Sequence, residues 1–349
     1  MGRNSRHSES IVVIRLSALG DVAMTVPVLI ALREKYPSLE ITMISNSRYA
    51  PFFSHISNIN FHAAKVKDQH KGLFGLFELY REIDAYKYNA IADLHNVIRS
   101  QVIDLLASVT GRKIVRIDKG RKEKKALTSE QPEKLPQLKS THERYVDVFS
   151  RLDYDFNLFP THVLAKQRIS AIIREKLGHE PKKWIGIAPF AAHEGKMYPI
   201  DLMEEVIKDL SANEKLKVIL FGGGKKEIEV LNNLASKYRR VFNLAGQCSF
   251  EDELSVISNL DLMLSMDSGN GHLAAMYGIP VITLWGVTHP ALGFKPFMQP
   301  DENQLLSDRV QFPLIPTSVY GNKVPEGYEE VMRTISPQRV VKRINEILA

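Results

Sequence analysis

Four short segments of the chain hold residues whose types and spacing could do chemistry. The first, Arg15-Leu16-Ser17-Ala18-Leu19-Gly20-Asp21-Val22, joins an apolar run to an amphipathic one. A carboxylate at Asp21 meets the free N–H groups of a helix start. It can be a cap and nothing more, or a general base at a cleft. The second, Asp267-Ser268-Gly269-Asn270-Gly271-His272, puts a carboxylate, a hydroxyl, two glycines and an imidazole at the opening of another helix. Small residues let a ligand approach the backbone, and a helix start offers N–H donors to a phosphate. A lone histidine is commonly structural, but these neighbours favour a polar site. The third, Gly195-Lys196-Met197-Tyr198-Pro199, sets a cation ahead of a proline-initiated helix, where it can face an anion or simply be solvated. The fourth, Gly222-Gly223-Gly224 followed by Glu227, is a common strand–glycine–helix turn. HExxH, CxxC, GxSxG and Walker A patterns are missing, and no GxGxxG follows the first apolar run. A metal site and a dinucleotide pocket are therefore not expected.

The elements around these segments alternate between short β-branched runs and helix-length amphipathic stretches. Ile11–Ile14, Glu40–Ile44, Ile59–His62, Ala90–Ala92 and Lys113–Ile117 read as strands. Helices are expected from about Val22 to Lys35, Leu73 to Tyr86 and Val97 to Ser108. Residues 118–140 read as a polar loop, 141–151 as a helix and 152–183 as a connection. The alternation then resumes, with strands at 184–188, 216–221, 241–244, 262–264 and 281–284, and a last helix begins at Ser336-Pro337. Such repeats predict two α/β domains, each a parallel sheet covered on both faces. Ligands bind such sheets at the carboxyl ends of the strands, and two of them facing each other would form a cleft. All four segments sit just after strands.

With 349 residues, 44% hydrophobic and 25% charged, the chain is an ordinary globular protein rather than a disordered one. Its single cysteine, Cys248, rules out an intrachain disulfide or a multi-cysteine zinc site and fits a reducing compartment. The first ten residues are polar and no long apolar run follows, so a cytoplasmic protein without signal peptide or membrane span is expected. The net charge of +6 is local: residues 111–125 carry eight basic and two acidic side chains. No RRM-like, helix-turn-helix or finger pattern accompanies that run, so nucleic acid is not the expected partner.

Taken together, RLSALGDVAMTVPVLIALR at 15–33, ADLHNVIRS at 92–100, THERY at 141–145, GKMYP at 195–199 and DSGNGHLAAMYGIPVITLWG at 267–286 resemble the lipopolysaccharide heptosyltransferase family, glycosyltransferase family 9. The resemblance spans most of the chain. It implies the GT-B architecture, two Rossmann-like doubly wound domains facing a central cleft. An acceptor-binding domain would cover 1–165, a linker 166–183, and a nucleotide-sugar-binding domain 184–335. A terminal helix at 336–349 would be placed to pack back on the first domain. The resemblance also implies inverting, metal-independent transfer from a nucleotide-sugar, ADP-heptose by family default, with no other cofactor. Asp21 matches the family's catalytic aspartate and Lys196 the lysine at the donor phosphates. Asp267, Ser268, Gly269 and His272 match the donor-binding D-[ST]-G-x-x-H set, while Glu227 and Cys248 fall near nucleotide contacts. Two departures stand out. Ala191-Ala192 replaces the usual Ser or Thr before the lysine, and Tyr198 replaces Trp.

On the acceptor side, Arg99 and Arg144 could each meet a phosphate or carboxylate, or make structural ion pairs. The apolar stretch 71–80 is either a core helix or a lipid contact. An anionic glycolipid acceptor at the cytosolic face of the inner membrane would suit the basic run. The competing readings are a GT-B enzyme using another nucleotide-sugar and acceptor, and a non-catalytic nucleotide-sugar-binding homologue.

Overall fold

A computed structural model describes residues 9–129, 134–180 and 182–349. The polar first eight residues, and 130–133 of the expected loop, lie outside it. The chain divides into two compact units, one of residues 1–119 with 141–164 and one of 120–140 with 165–349.

The first unit opens with β1 (Ser10–Ile14), whose five residues are all buried, as expected of a strand covered on both faces. It continues through α1 (Leu19–Ala23), α2 (Thr25–Lys35), β2 (Glu40–Ser45), β3 (Ile59–Ala63), α3 (Gly72–Asp84), β4 (Ala90–Asp93), α4 (Ile98–Ser108) and β5 (Lys113–Arg116). The expected single helix 22–35 is thus two, joined at Met24. The five strands are parallel in the order β3-β2-β1-β4-β5. α3 and α4 pack side by side, as expected when successive crossovers of one hand run in the same direction along the sheet.

Residues 118–140 are not the plain loop that the sequence suggests. Arg121–Ser129 forms α5, and residues 120–140 group with the second unit, although the sequence reading places them within the first domain. The Leu138 N–H donates to the Ala291 carbonyl (3.0 Å), and the Lys124 ammonium lies 4.0 Å from the Phe294 ring centroid. Lys124 and Leu127 are buried, whereas Arg121, Lys122 and Lys125 are exposed. Part of the basic run is therefore packed interior. The chain returns to the first unit with α6 (Thr141–Ser150).

The second unit contains α7 (Ala171–Leu177), β6 (Lys183–Ala188), α8 (Ile200–Ala212), β7 (Leu216–Leu220), α9 (Lys225–Lys237), β8 (Val241–Asn243), α10 (Phe250–Ile257), β9 (Leu262–Met266), α11 (Gly269–Ala275), β10 (Val281–Trp285), β11 (Gln304–Leu306) and α12 (Pro337–Leu348). Its strands are parallel in the order β11-β10-β9-β6-β7-β8. Ser336 caps α12 by accepting the Arg339 N–H (3.2 Å). Val340 and Ile344 of α12 join Met203, Val206 and Ile207 of α8 in this unit's own core. The apolar stripe of α12 finds its partner in the helix beside it.

Candidate functional site

In an open parallel sheet the connections change direction at one point, leaving a crevice at the strand ends. In the second unit that point lies between β6 and β9. The loop after β6 carries Lys196 and the loop after β9 carries Asp267, and the two side chains meet there, Nζ to Oδ2 3.0 Å. Thr288, just past β10, donates its hydroxyl to the same oxygen (2.9 Å). The Lys196 side chain is 14% exposed and that of Asp267 8%, so water screens this pair weakly. Beside it, the Ser268 Oγ is buried without a hydrogen-bond partner. A buried hydroxyl left unmatched is uncommon in a native fold and suits a ligand atom.

Gly269 and His272 lie in the first turn of α11, His272 buried. Glu227 Oε2 accepts the Gly223 N–H (2.7 Å) at the end of β7. Cys248 lies beyond β8, its thiol over the Leu244 carbonyl (3.8 Å). Burial, then Glu253 and Asp252, push this thiol up to about 11, so it stays protonated. All of these residues follow strands of one sheet. Tyr198, which replaces the family tryptophan, points into the core and donates its hydroxyl to the Ile335 carbonyl (2.5 Å).

The first unit's switch point lies between β1 and β4. Arg15, one residue past β1, is buried and donates from Nη1 to the Leu94 carbonyl (2.7 Å), tying the two strand ends together. Its Nη2 holds Asp21 Oδ2 at 2.6 Å, and the Asp21 side chain stays 30% exposed. Burial alone would lower the pKa of Arg15, but Tyr145, Asp21 and the hydrogen bond to Asp21 turn the shift upward. Tyr145 donates to the Asp21 carbonyl (3.1 Å). Asp21 is thus a carboxylate braced by its neighbours and open to solvent.

Asp93, the last residue of β4, accepts the His95 and Asn96 N–H groups (both 2.8 Å) and the Ser100 hydroxyl (2.8 Å), so it shapes the loop and the start of α4. The His95 ring is buried among cations. Burial first, then Arg15 and Lys119, lower its pKa to about 3 and keep it neutral. Arg99 is exposed on α4, whereas Arg144 is 4% exposed and donates to the Asp118 carbonyl (3.3 Å). Reading by segment gave Arg15 and His95 no role of their own, although both lie inside quoted motifs, and passed over Thr288. Only the position of each just past a strand could have pointed to them.

The family model of glycosyltransferase family 9 (heptosyltransferase) matches residues 76–312. The chain belongs to this family. It is a glycosyltransferase of the heptosyltransferase family, with a GT-B-like fold of two parallel-sheet α/β units. The lipopolysaccharide core heptosyltransferase OpsX of Haemophilus influenzae is 25% identical over 296 residues, which cover 81% of this chain and 80% of that one. The glycosyltransferase family 9 structure from Veillonella parvula shares the fold with a TM-score of 0.74 and 20% identity, covering 98% of this chain and 97% of that one. The structure of the Escherichia coli heptosyltransferase WaaC with ADP shares it with a TM-score of 0.69 and 19% identity, covering 97% and 99%.

Proposed function

We propose that this family 9 enzyme moves a sugar from ADP-heptose to a hydroxyl of a lipopolysaccharide core, with inversion and without a metal ion. The observation that carries the reading is the Lys196 ammonium paired with Asp267 at the second switch point, with the unpartnered Ser268 hydroxyl next along the chain from Asp267. A leaving diphosphate needs cations and donors already in place, because preorganised charge in a water-poor site stabilises it most. Asp267 and Thr288 aim Lys196. Ser268 and the first turn around Gly269 and His272 meet the phosphates. Glu227 and Cys248 face the nucleoside end, where the second Glu227 oxygen can accept a ribose hydroxyl.

Asp21 takes the proton of the acceptor hydroxyl. The hydroxyl oxygen attacks the anomeric carbon in line, the bond from that carbon to the diphosphate breaks, and ADP departs. Arg15 holds the Asp21 carboxylate in place. Arg99 is the exposed cation for an acceptor phosphate or carboxylate. Arg144, being buried, we assign instead to holding the Asp118 backbone. Among the described residues no helix is long and apolar enough to cross a membrane. A lipid-borne acceptor then calls for peripheral contact at the cytosolic face, and the exposed Leu73, Phe74 and Phe77 of α3 supply a surface for it.

The test is turnover of purified protein with ADP-heptose and heptose-deficient lipopolysaccharide, read by mass spectrometry, with the anomeric configuration of the product read by NMR. Product of inverted configuration, formed equally with and without EDTA, is expected. Turnover only with a different nucleotide-sugar, or only with a divalent ion, would overturn the reading. Asp21→Asn should lower transfer by roughly 10²–10⁴-fold, the usual contribution of a general base, with ADP affinity unchanged by calorimetry.

A further inference from the structure

Lys196 ends a long flexible stem, and something must keep that stem in one conformation. The structure shows what lies on it. A Cβ built on Gly321 would fall 2.3 Å from Lys196 Cδ and 2.4 Å from its Cγ, distances that no real pair of carbons adopts. The stem therefore lies flat on the Gly321 backbone. The same loop also touches the residue before the lysine. A Cβ on Gly195 would fall 2.7 Å from Val324 Cγ2 and 3.1 Å from the Gly321 carbonyl oxygen. Asp267, itself held by the Thr288 hydroxyl, pairs with the ammonium end.

The loop has its own framework. The Gly321 N–H donates to Ser318 Oγ (2.8 Å), the Thr317 N–H to the Val287 carbonyl (2.9 Å), and the Thr317 hydroxyl to the Lys323 carbonyl (2.6 Å). Gly321 is buried with φ +79°, a conformation that favours glycine. Tyr320 packs against Phe294 (6.5 Å between ring centroids), the ring beneath Lys124 of α5. None of these residues belongs to the segments whose chemistry was legible in the sequence.

We propose that the loop 317–324 is a clamp for Lys196 and that Gly321 is its positioning residue. The bare backbone of Gly321 lets the stem lie down, which presents the ammonium beside Asp267 before any ligand arrives. Flexible lysines lose rotamer freedom on binding, and a stem already confined by packing loses less. The proposal deepens the assignment of Lys196 to the donor phosphates, and one arm of its test does not depend on that assignment.

That arm is the rate at which Lys196 is acylated by a small amine-reactive reagent, followed residue by residue by mass spectrometry. Gly321→Ala should expel the stem and raise the Lys196 labelling rate at least tenfold. Gly327→Ala is the control. Gly327 has φ +81° and open space where its Cβ would be, so it carries the same backbone strain without touching the lysine. Labelling of Lys196 that is unchanged in Gly321→Ala, or raised equally in Gly327→Ala, overturns the proposal. Ser318→Ala removes the anchor of the Gly321 N–H without adding an atom. It should raise labelling less but measurably, and it serves if Gly321→Ala fails to fold; no rise in it then overturns the clamp.

The second arm is ADP affinity by calorimetry. Gly321→Ala should weaken it about tenfold in the wild-type background and not at all in Lys196→Ala. An equal loss in both backgrounds would show that Gly321 does not act through the lysine. Absence of ADP binding by the wild-type protein would count against the donor assignment alone, and the labelling arm would still decide the clamp.

Discussion

Side chains of one type take opposite roles in this protein, and their surroundings decide which. Asp93 ends strand β4 and Asp21 lies in the helix after β1, so both stand at the carboxyl edge of the first sheet. Asp93 is buried and spends both oxygens on the loop it caps, whereas Asp21 has one oxygen on Arg15 and an open face. Lys196 is half-buried and faces a carboxylate, whereas Lys124 is buried and lies over an aromatic ring. Removing Lys196 takes away the charge we assign to the donor diphosphate. Hydrogen bonds to charged groups are worth about 1.5–3 kcal/mol, so Lys196→Ala should weaken ADP binding by roughly ten- to a hundredfold in calorimetry. Asp104 carries a pH signature of a different kind. It is fully buried, with Arg116 Nε 2.5 Å from Oδ2. Burial, with Asp93 adding to it, raises Asp104 to about 7. Between about pH 4 and pH 7 the folded protein then keeps a proton that the unfolded chain releases. Stability from this group is full at the acid end of that window and is lost as pH rises through it, by at most about 1.4 kcal/mol per pH unit. Asp104→Asn should flatten this slope in urea titrations at pH 5 and pH 7.5, and an unchanged slope would exclude a buried proton there.

At the scale of elements, helices of similar composition differ in what their outer faces meet. α3 buries Leu76, Leu79 and Ile83 against its sheet but leaves Leu73 73% and Phe74 90% exposed. Beside it, α4 leaves Ile98 and Leu105 exposed, as is Val109 just past its end. Exposed lysines at 65, 67 and 71 precede α3, and Arg99 opens α4. Apolar tips among cations suit an anionic bilayer, where each basic residue adds about 1 kcal/mol. Replacing Phe74 and Phe77 together by Ser should abolish most cosedimentation with phosphatidylglycerol vesicles and leave ADP affinity intact. Binding that survives in the double variant would move the contact elsewhere. The stretch 71–80 was legible as a helix of unusual apolarity, but its sequence could not tell core from surface. Its i, i+4 faces are both apolar, and only the sheet decides which one is covered. α5 shows the reverse case. Its sequence is strongly basic, and it reads as solvated until Lys124 and Leu127 are seen to be packed.

At the scale of the whole molecule, two units with separate cores should not melt as one. Leu127→Ala removes a buried side chain from α5, and such truncations cost about 2–5 kcal/mol. Because α5 packs with the second unit, calorimetry should show the loss in the transition that ADP raises, and the other transition should stay put. A shift of the other transition alone would reassign α5 to the first unit. By itself, the sequence determined the alternation of strand and helix, the two parallel sheets and the strand-end segments that hold Asp21, Lys196 and Asp267. These follow from local rules. An apolar β-branched run makes a covered strand, and the residue after it must lie at the sheet's carboxyl edge. Only the tertiary structure decided which side chains meet there: Arg15 on Asp21, Thr288 on Asp267, and Gly321 beneath Lys196. It also decided that α5 and α12 pack with the second unit. Those outcomes depend on contacts between residues far apart in the chain, where shape and burial choose the partner and no local pattern records the choice.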